Sequence, residues 1–208
     1  MTTALGLTSA DGVQLEAELA PADGAARAGM VLCHPHPQFG GTMRSIVISA
    51  LFGALPAQGV TCLRFNFRGV EGSGGEHAGG DAERLDARAA VAHLRATLAP
   101  DVPLVLTGWS FGGDVALSVH DDAVDAWFAI APPLAVARDV EVTGADPRPK
   151  LLAHAEHDEY RTPDEVASRV TEWQHTDIEI VPGASHFFVG RTDRLVELAL
   201  AYVARLTT

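Results

Sequence analysis

The chain has 208 residues, 47% of them hydrophobic and 20% charged, which suffices to bury one sizeable core and fits a single globular domain over residues 1–208. A formal net charge of −12 opposes long-range attraction to nucleic acid or an anionic membrane, and it disfavours polyanionic substrates such as coenzyme A thioesters. No uncharged apolar run has the length of a membrane span, and Met1-Thr2-Thr3-Ala4-Leu5 lacks the basic start and apolar core of a signal peptide, so the expectation is a cytoplasmic protein.

Residues 4–7 and 13–19 alternate apolar and polar side chains around Asp11-Gly12, which predicts a hairpin of two antiparallel edge strands. Beyond Pro21-Ala22-Asp23-Gly24, short apolar runs at 29–33, 61–65, 104–108, 126–131, 151–155 and 178–181 read as parallel strands covered on both faces. Helical periods at 42–58, 81–98, 111–120, 163–174 and 191–205 separate them. This alternation predicts the α/β class, with a doubly wound, mostly parallel sheet preceded by the hairpin. The glycine-rich stretch 69–80 is a loop leaving the strand at 61–65, and 134–149 has room only for a loop and one turn, so no cap or lid is expected. Cys33 and Cys62 lie inside apolar strands as reduced core thiols.

The densest signal is Gly108-Trp109-Ser110-Phe111-Gly112, placed between the apolar run ending at Thr107 and the helical stretch from Asp114. A serine at such a strand-to-helix turn is lifted above the sheet edge, and small residues two before and two after it let neighbouring backbones approach. Ser110 is therefore the candidate nucleophile. A serine hydroxyl needs a histidine to take its proton and a carboxylate to orient that histidine. Among nine histidines, His186 stands just after the last strand, and Asp158 just after the strand before it, giving the order Ser110, Asp158, His186. Glu156 and Glu159 compete with Asp158, with Glu156 second.

An oxyanion hole needs two backbone N–H groups. Phe111 supplies one. The other comes from His34-Pro35-His36-Pro37-Gln38-Phe39-Gly40-Gly41, where Pro35 and Pro37 have no N–H; His36 is the leading donor and Gln38 the next. The alternating His34 and His36 lack a third ligand at a recognisable spacing, so no metal is expected, and His34 reads as a brace for the loop. Phe39, Met43, Trp109 and Phe187, with Tyr160 beside them, are candidate substrate contacts in an apolar acyl pocket.

These segments together resemble the small, lidless bacterial serine hydrolases of the α/β-hydrolase superfamily, with a looser likeness to dienelactone-hydrolase-like and esterase branches. The resemblance runs through residues 34–43, 63–70 and 108–113, Ala131-Pro132-Pro133, Asp158-Glu159 and His186-Phe187-Phe188. It implies an α/β-hydrolase fold and an esterase-like activity on small-molecule esters, without cofactor, with Ser110 as nucleophile, His186 as base, Asp158 as acid and the His36 loop as oxyanion donor. The chain departs from the pattern at Glu71, where Gly is common, and at Ala155-Glu156, where Gly-Asp is common. A serine at the elbow argues against both a dienelactone hydrolase, which uses cysteine, and a haloalkane dehalogenase, which uses aspartate. Thioesters, amides, peptides and perhydrolysis remain alternatives for the same triad, and a non-catalytic binding module is the alternative outside enzymes.

Overall fold

The structure, a computed structural model, describes residues 1–207. The hairpin forms as β1 (Thr3–Thr8) and β2 (Gln14–Ala20). The strands that follow are β3 (Ala28–Cys33), β4 (Val60–Phe65), β5 (Leu104–Trp109), β6 (Ala126–Ile130), β7 (Lys150–His157) and β8 (Thr176–Ser185). They join one eight-stranded sheet in the order β1-β2-β4-β3-β5-β6-β7-β8. The β1–β2 and β2–β4 pairs are antiparallel, and all other neighbours are parallel. Only β1 of the hairpin is an edge strand, because β2 also pairs residue by residue with β4 from Ala17 against Phe65 to Ala20 against Cys62. Alternating polarity reports that a strand is half exposed, not how many neighbours it has.

The helices are α1 (Ile46–Ala54), α2 (Glu83–Thr97), α3 (Phe111–Leu117), α4 (Val140–Ala145), α5 (Pro163–Arg169) and α6 (Thr192–Leu206). Period-two alternation in β3 divides the core between the two faces of the sheet. Met30 and Leu32 pack with Val47, Ile48 and Leu51 of α1 and with Leu195, Leu198, Tyr202 and Val203 of α6. Val31 and Cys33 point the other way, toward Ala90, Val91 and Leu94 of α2 and Val115 of α3. Full burial of a side chain such as Leu51 stabilises by about 1.5–3 kcal/mol, so these two layers dominate the fold energetics. Both cysteines are buried and free, and burial pushes their thiols up, away from ionisation.

Helix α1 begins four residues later than its apolar period suggests. The Thr42 N–H donates to Ser45 Oγ at 3.0 Å and the Met43 N–H to Asn66 Oδ1 at 2.8 Å, so these amides are held by side chains outside any helix. Helix α3 stops at Leu117, where the Ser118 hydroxyl donates to the Asp114 carbonyl and receives the Arg138 N–H. Between β6 and β7 the chain builds only the six-residue α4, and no cap stands over the carboxyl ends of the strands. Among the described residues no helix is long and apolar enough to cross a membrane.

Candidate active site

Ser110 sits between β5 and α3 with φ 55° and ψ −120°, a conformation that non-glycine residues seldom adopt. The strain is held from both sides. The Ser110 N–H donates to the Ile130 carbonyl at 2.8 Å, and its own carbonyl accepts from Gly113 and Asp114. The flanking glycines are obligatory: a Cβ on Gly108 would lie 2.0 Å from the Gly112 carbonyl oxygen, and one on Gly112 would lie 2.3 Å from that of Cys33.

Ser110, His186 and Asp158 form one hydrogen-bonded chain. His186 Nε2 is 2.9 Å from Ser110 Oγ, and His186 Nδ1 is 2.8 Å from Asp158 Oδ2. The second Asp158 oxygen accepts the N–H groups of Tyr160 and Arg161 at 3.0 and 3.2 Å. Burial alone would raise this carboxyl, but the His186 contact and the two backbone donors hold it below the ordinary carboxylate range. A register shift between Ala155 and His157 marks the end of the β7–β8 ladder, where the chain turns toward Asp158 and His186. Of the competing acids, exposed Glu156 accepts the Gly183 N–H and Glu159 accepts the His186 N–H; neither meets the imidazole ring. Trp109 Nε1 donates to the His186 carbonyl at 3.1 Å, fixing the histidine backbone from the other side.

The loop after β3 turns through a short 3-10 helix, Pro37–Phe39. Its Gln38 N–H is engaged by His36 Nδ1 at 3.2 Å. Among the described residues, the amides of His36 and Phe111 donate to no other group of the chain. The rings of these two residues pack 4.8 Å apart, and His77 packs on both, at 5.0 and 5.4 Å. His77 reaches there because fully buried Glu83 gathers the N–H groups of Ala78 and Gly80 and lies 2.7 Å from the His77 ring, folding the glycine-rich loop inward. Glu71 adopts φ 45°, which accounts for glycine being common there; its carboxylate is held by Asn66 and Arg44.

A cavity of about 580 Å³ opens over Ser110, lined by Phe39, Ile46, Trp109, Val136, Tyr160 and Phe187 among others. Phe39 is 86% exposed and Tyr160 63%, so the mouth is rimmed by uncovered aromatic rings. Met43 does not reach the cavity: it is wholly buried, drawn inward by its amide contact with Asn66. Sequence proximity to the loop does not settle side-chain direction. Two charged residues, Asp114 and Arg161, also line the cavity. Asp114 is fully buried, and its carboxylate receives the N–H groups of Leu134, Ala135 and Val136 at 2.8, 2.7 and 2.9 Å. Arg161 donates through Nε to the Pro133 carbonyl. An acidic residue on the first turn of the helix after the elbow was the one available signal for Asp114. Among the described residues no group of three or more His, Cys, Asp or Glu side chains is arranged to hold a metal ion.

An α/β hydrolase domain model matches residues 26–201. An uncharacterized protein of Rickettsia prowazekii is 30% identical over 173 residues, 78% of this chain and 73% of its own length. A serine hydrolase homologue from Coxiella burnetii is 29% identical and superposes with a TM-score of 0.85, covering 96% of each chain. XC6422 from Xanthomonas campestris, described as an α/β serine hydrolase without a lid, is 30% identical with a TM-score of 0.85, covering 98% of this chain and 94% of its own. With an eight-stranded, mostly parallel sheet, an antiparallel start and no lid, the chain belongs to the α/β hydrolase family.

Proposed function

We propose that the protein hydrolyses carboxylic esters with small or medium acyl groups through an acyl-enzyme formed on Ser110. The observation that carries this reading is the continuous hydrogen-bonded chain from Ser110 through His186 to Asp158 on the wall of an open, largely apolar cavity. As Ser110 Oγ bonds to the ester carbon, His186 Nε2 takes its proton, and Asp158 stabilises the resulting imidazolium without accepting the proton. The carbonyl oxygen becomes an oxyanion that the Phe111 and His36 amides receive, both of which lack another partner among the described residues. His186 then gives its proton to the departing alkoxide as the C–O bond breaks, leaving the acyl group on Ser110 Oγ. In the second half His186 deprotonates a water that attacks the same carbon, and the proton returns to Ser110 Oγ as the acid leaves.

A volume of about 580 Å³ lies in the range of small-ligand pockets and supports modest acyl groups. Ser110→Ala should abolish both hydrolysis of p-nitrophenyl butyrate and labelling by a fluorophosphonate. Neither cysteine offers an alternative label site, since both are wholly buried. Labelling retained in the Ser110→Ala protein would sink the assignment, and an acyl-length series that peaks at long chains would overturn the substrate class.

A further inference from the structure

We infer that His34 is the positioning residue of the oxyanion hole: its ring holds the Pro35–His36 peptide plane and so aims the His36 N–H at the substrate oxygen. This rests on the reading of Ser110 as nucleophile and His36 as oxyanion donor.

His34 lies at the end of β3, fully buried, edge-on to the Phe67 ring at 4.8 Å. The Phe67 N–H donates to its Nε2 at 3.0 Å. A backbone N–H can only donate, so Nε2 carries the lone pair and the single proton of the neutral ring is on Nδ1. Nδ1 stands 2.6 Å from the Pro35 carbonyl oxygen and donates to it. Burial holds the ring neutral, with its pKa pushed down to about 4.

The Pro35 carbonyl and the His36 N–H belong to one planar trans peptide, in which C=O and N–H point in opposite directions. Holding the oxygen on one side therefore sets the direction of the N–H on the other. The oxygen is confined from a second direction, because a Cβ on Gly41 would lie 2.1 Å from it. The far side of His36 is held as well, its carbonyl accepting the Gly41 N–H at 3.1 Å. An apolar residue of the same volume would fill this part of the core without either polar contact. The ring thus connects the end of β4, through Phe67, to one amide of the hole.

Asn and Gln separate the two ring nitrogens. In His34→Asn the side-chain amide reaches the Nδ1 position and can still donate to Pro35; in His34→Gln it reaches the Nε2 position and keeps only the Phe67 contact. Steady-state kinetics on p-nitrophenyl butyrate, thermal unfolding, and affinity for a trifluoromethyl ketone that forms a tetrahedral oxyanion provide the readouts. His34→Asn should stay within about fivefold of the parent in kcat, and His34→Gln should lose about 30- to 100-fold, with KM within about twofold and ketone affinity falling in parallel. Equal losses in both variants that follow their unfolding temperatures, or an effect on KM alone, would overturn the inference. If His34→Gln does not accumulate folded, Gly41→Ala displaces the same carbonyl with His34 intact and carries the same expectation for kcat and ketone binding. Failure of the underlying reading shows separately, as esterase activity that survives Ser110→Ala; normal Ser110 labelling with no difference between Asn and Gln removes the inference alone.

Discussion

Replacing Asp114 by asparagine keeps the shape of the side chain and removes an acceptor from a buried cluster. In the native protein one carboxylate oxygen receives the Leu134 N–H and the other those of Ala135 and Val136. An amide has one acceptor oxygen, so its better rotamer serves Ala135 and Val136 and turns an NH2 group against the Leu134 N–H. A buried donor facing another donor costs about 1–3 kcal/mol, and the two surviving bonds weaken by about 1 kcal/mol each on losing the charge. Loss of an anion at the start of α3 adds a few tenths of a kcal/mol to roughly 1 kcal/mol. The expected destabilisation is therefore about 3–6 kcal/mol, a large part of the roughly 5–15 kcal/mol that holds a domain folded. Urea unfolding followed by tryptophan fluorescence should show the midpoint falling at unchanged m-value. A loss below about 1 kcal/mol would refute the claim that this carboxylate organises the loop beside the cavity.

Asp158→Asn should lower kcat by about 10³- to 10⁴-fold, because an asparagine can present its NH2 to His186 Nδ1 and favour the wrong tautomer. Glu156→Gln, altering an exposed side chain that meets the Gly183 N–H and the exposed His157 ring but not His186, should stay within about twofold; comparable losses in the two would reassign the acid. The depressed His34 pKa also makes stability acid-sensitive. The unfolded chain binds the proton near 6.5 and the folded one only near 4, so the unfolded state holds more protons in that window and stability falls as pH falls. By pH 4 the loss from this group is about 3 kcal/mol. Chemical unfolding at pH 7 and pH 4 should therefore show a drop larger by about that amount in the parent than in His34→Asn, and equal drops would contradict it.

The order of strands and helices was legible because each alternation of period two and period 3.6 reports a local choice that the fold keeps. The residues that meet in the hydrogen-bonded chain from Ser110 through His186 to Asp158 were legible for a related reason: Gly108 and Gly112 mark two positions that admit no side chain, and Asp158 and His186 follow strands whose ends converge. What escaped depended on partners distant in sequence. Thr42 and Met43 leave α1 because Ser45 and Asn66 take their amides, and the Asn66 contact spans 23 residues. Asp114 holds a loop 20 to 22 residues away, and the ring contacts of His77 with Phe111 require Glu83 to close the intervening loop. That the Gln38 N–H is taken by the neighbouring imidazole of His36 is likewise a contact that a list of N–H groups does not contain.

The uncovered mouth separates two kinds of sequence constraint. Around Ser110, glycines at 108 and 112 and the buried Asp114 leave almost no room for replacement, since each alternative collides with backbone or orphans an amide. Phe39 and Tyr160, by contrast, stand mostly in water, where a substitution typically changes stability by no more than about 0.5 kcal/mol in either direction. Such rim positions can diverge between related proteins, or in a laboratory selection, without drawing on the stability that keeps the strained serine turn in place. Because no lid has to be refitted at the same time, a new substrate preference is within reach of single substitutions, while the reaction itself is inherited almost unchanged.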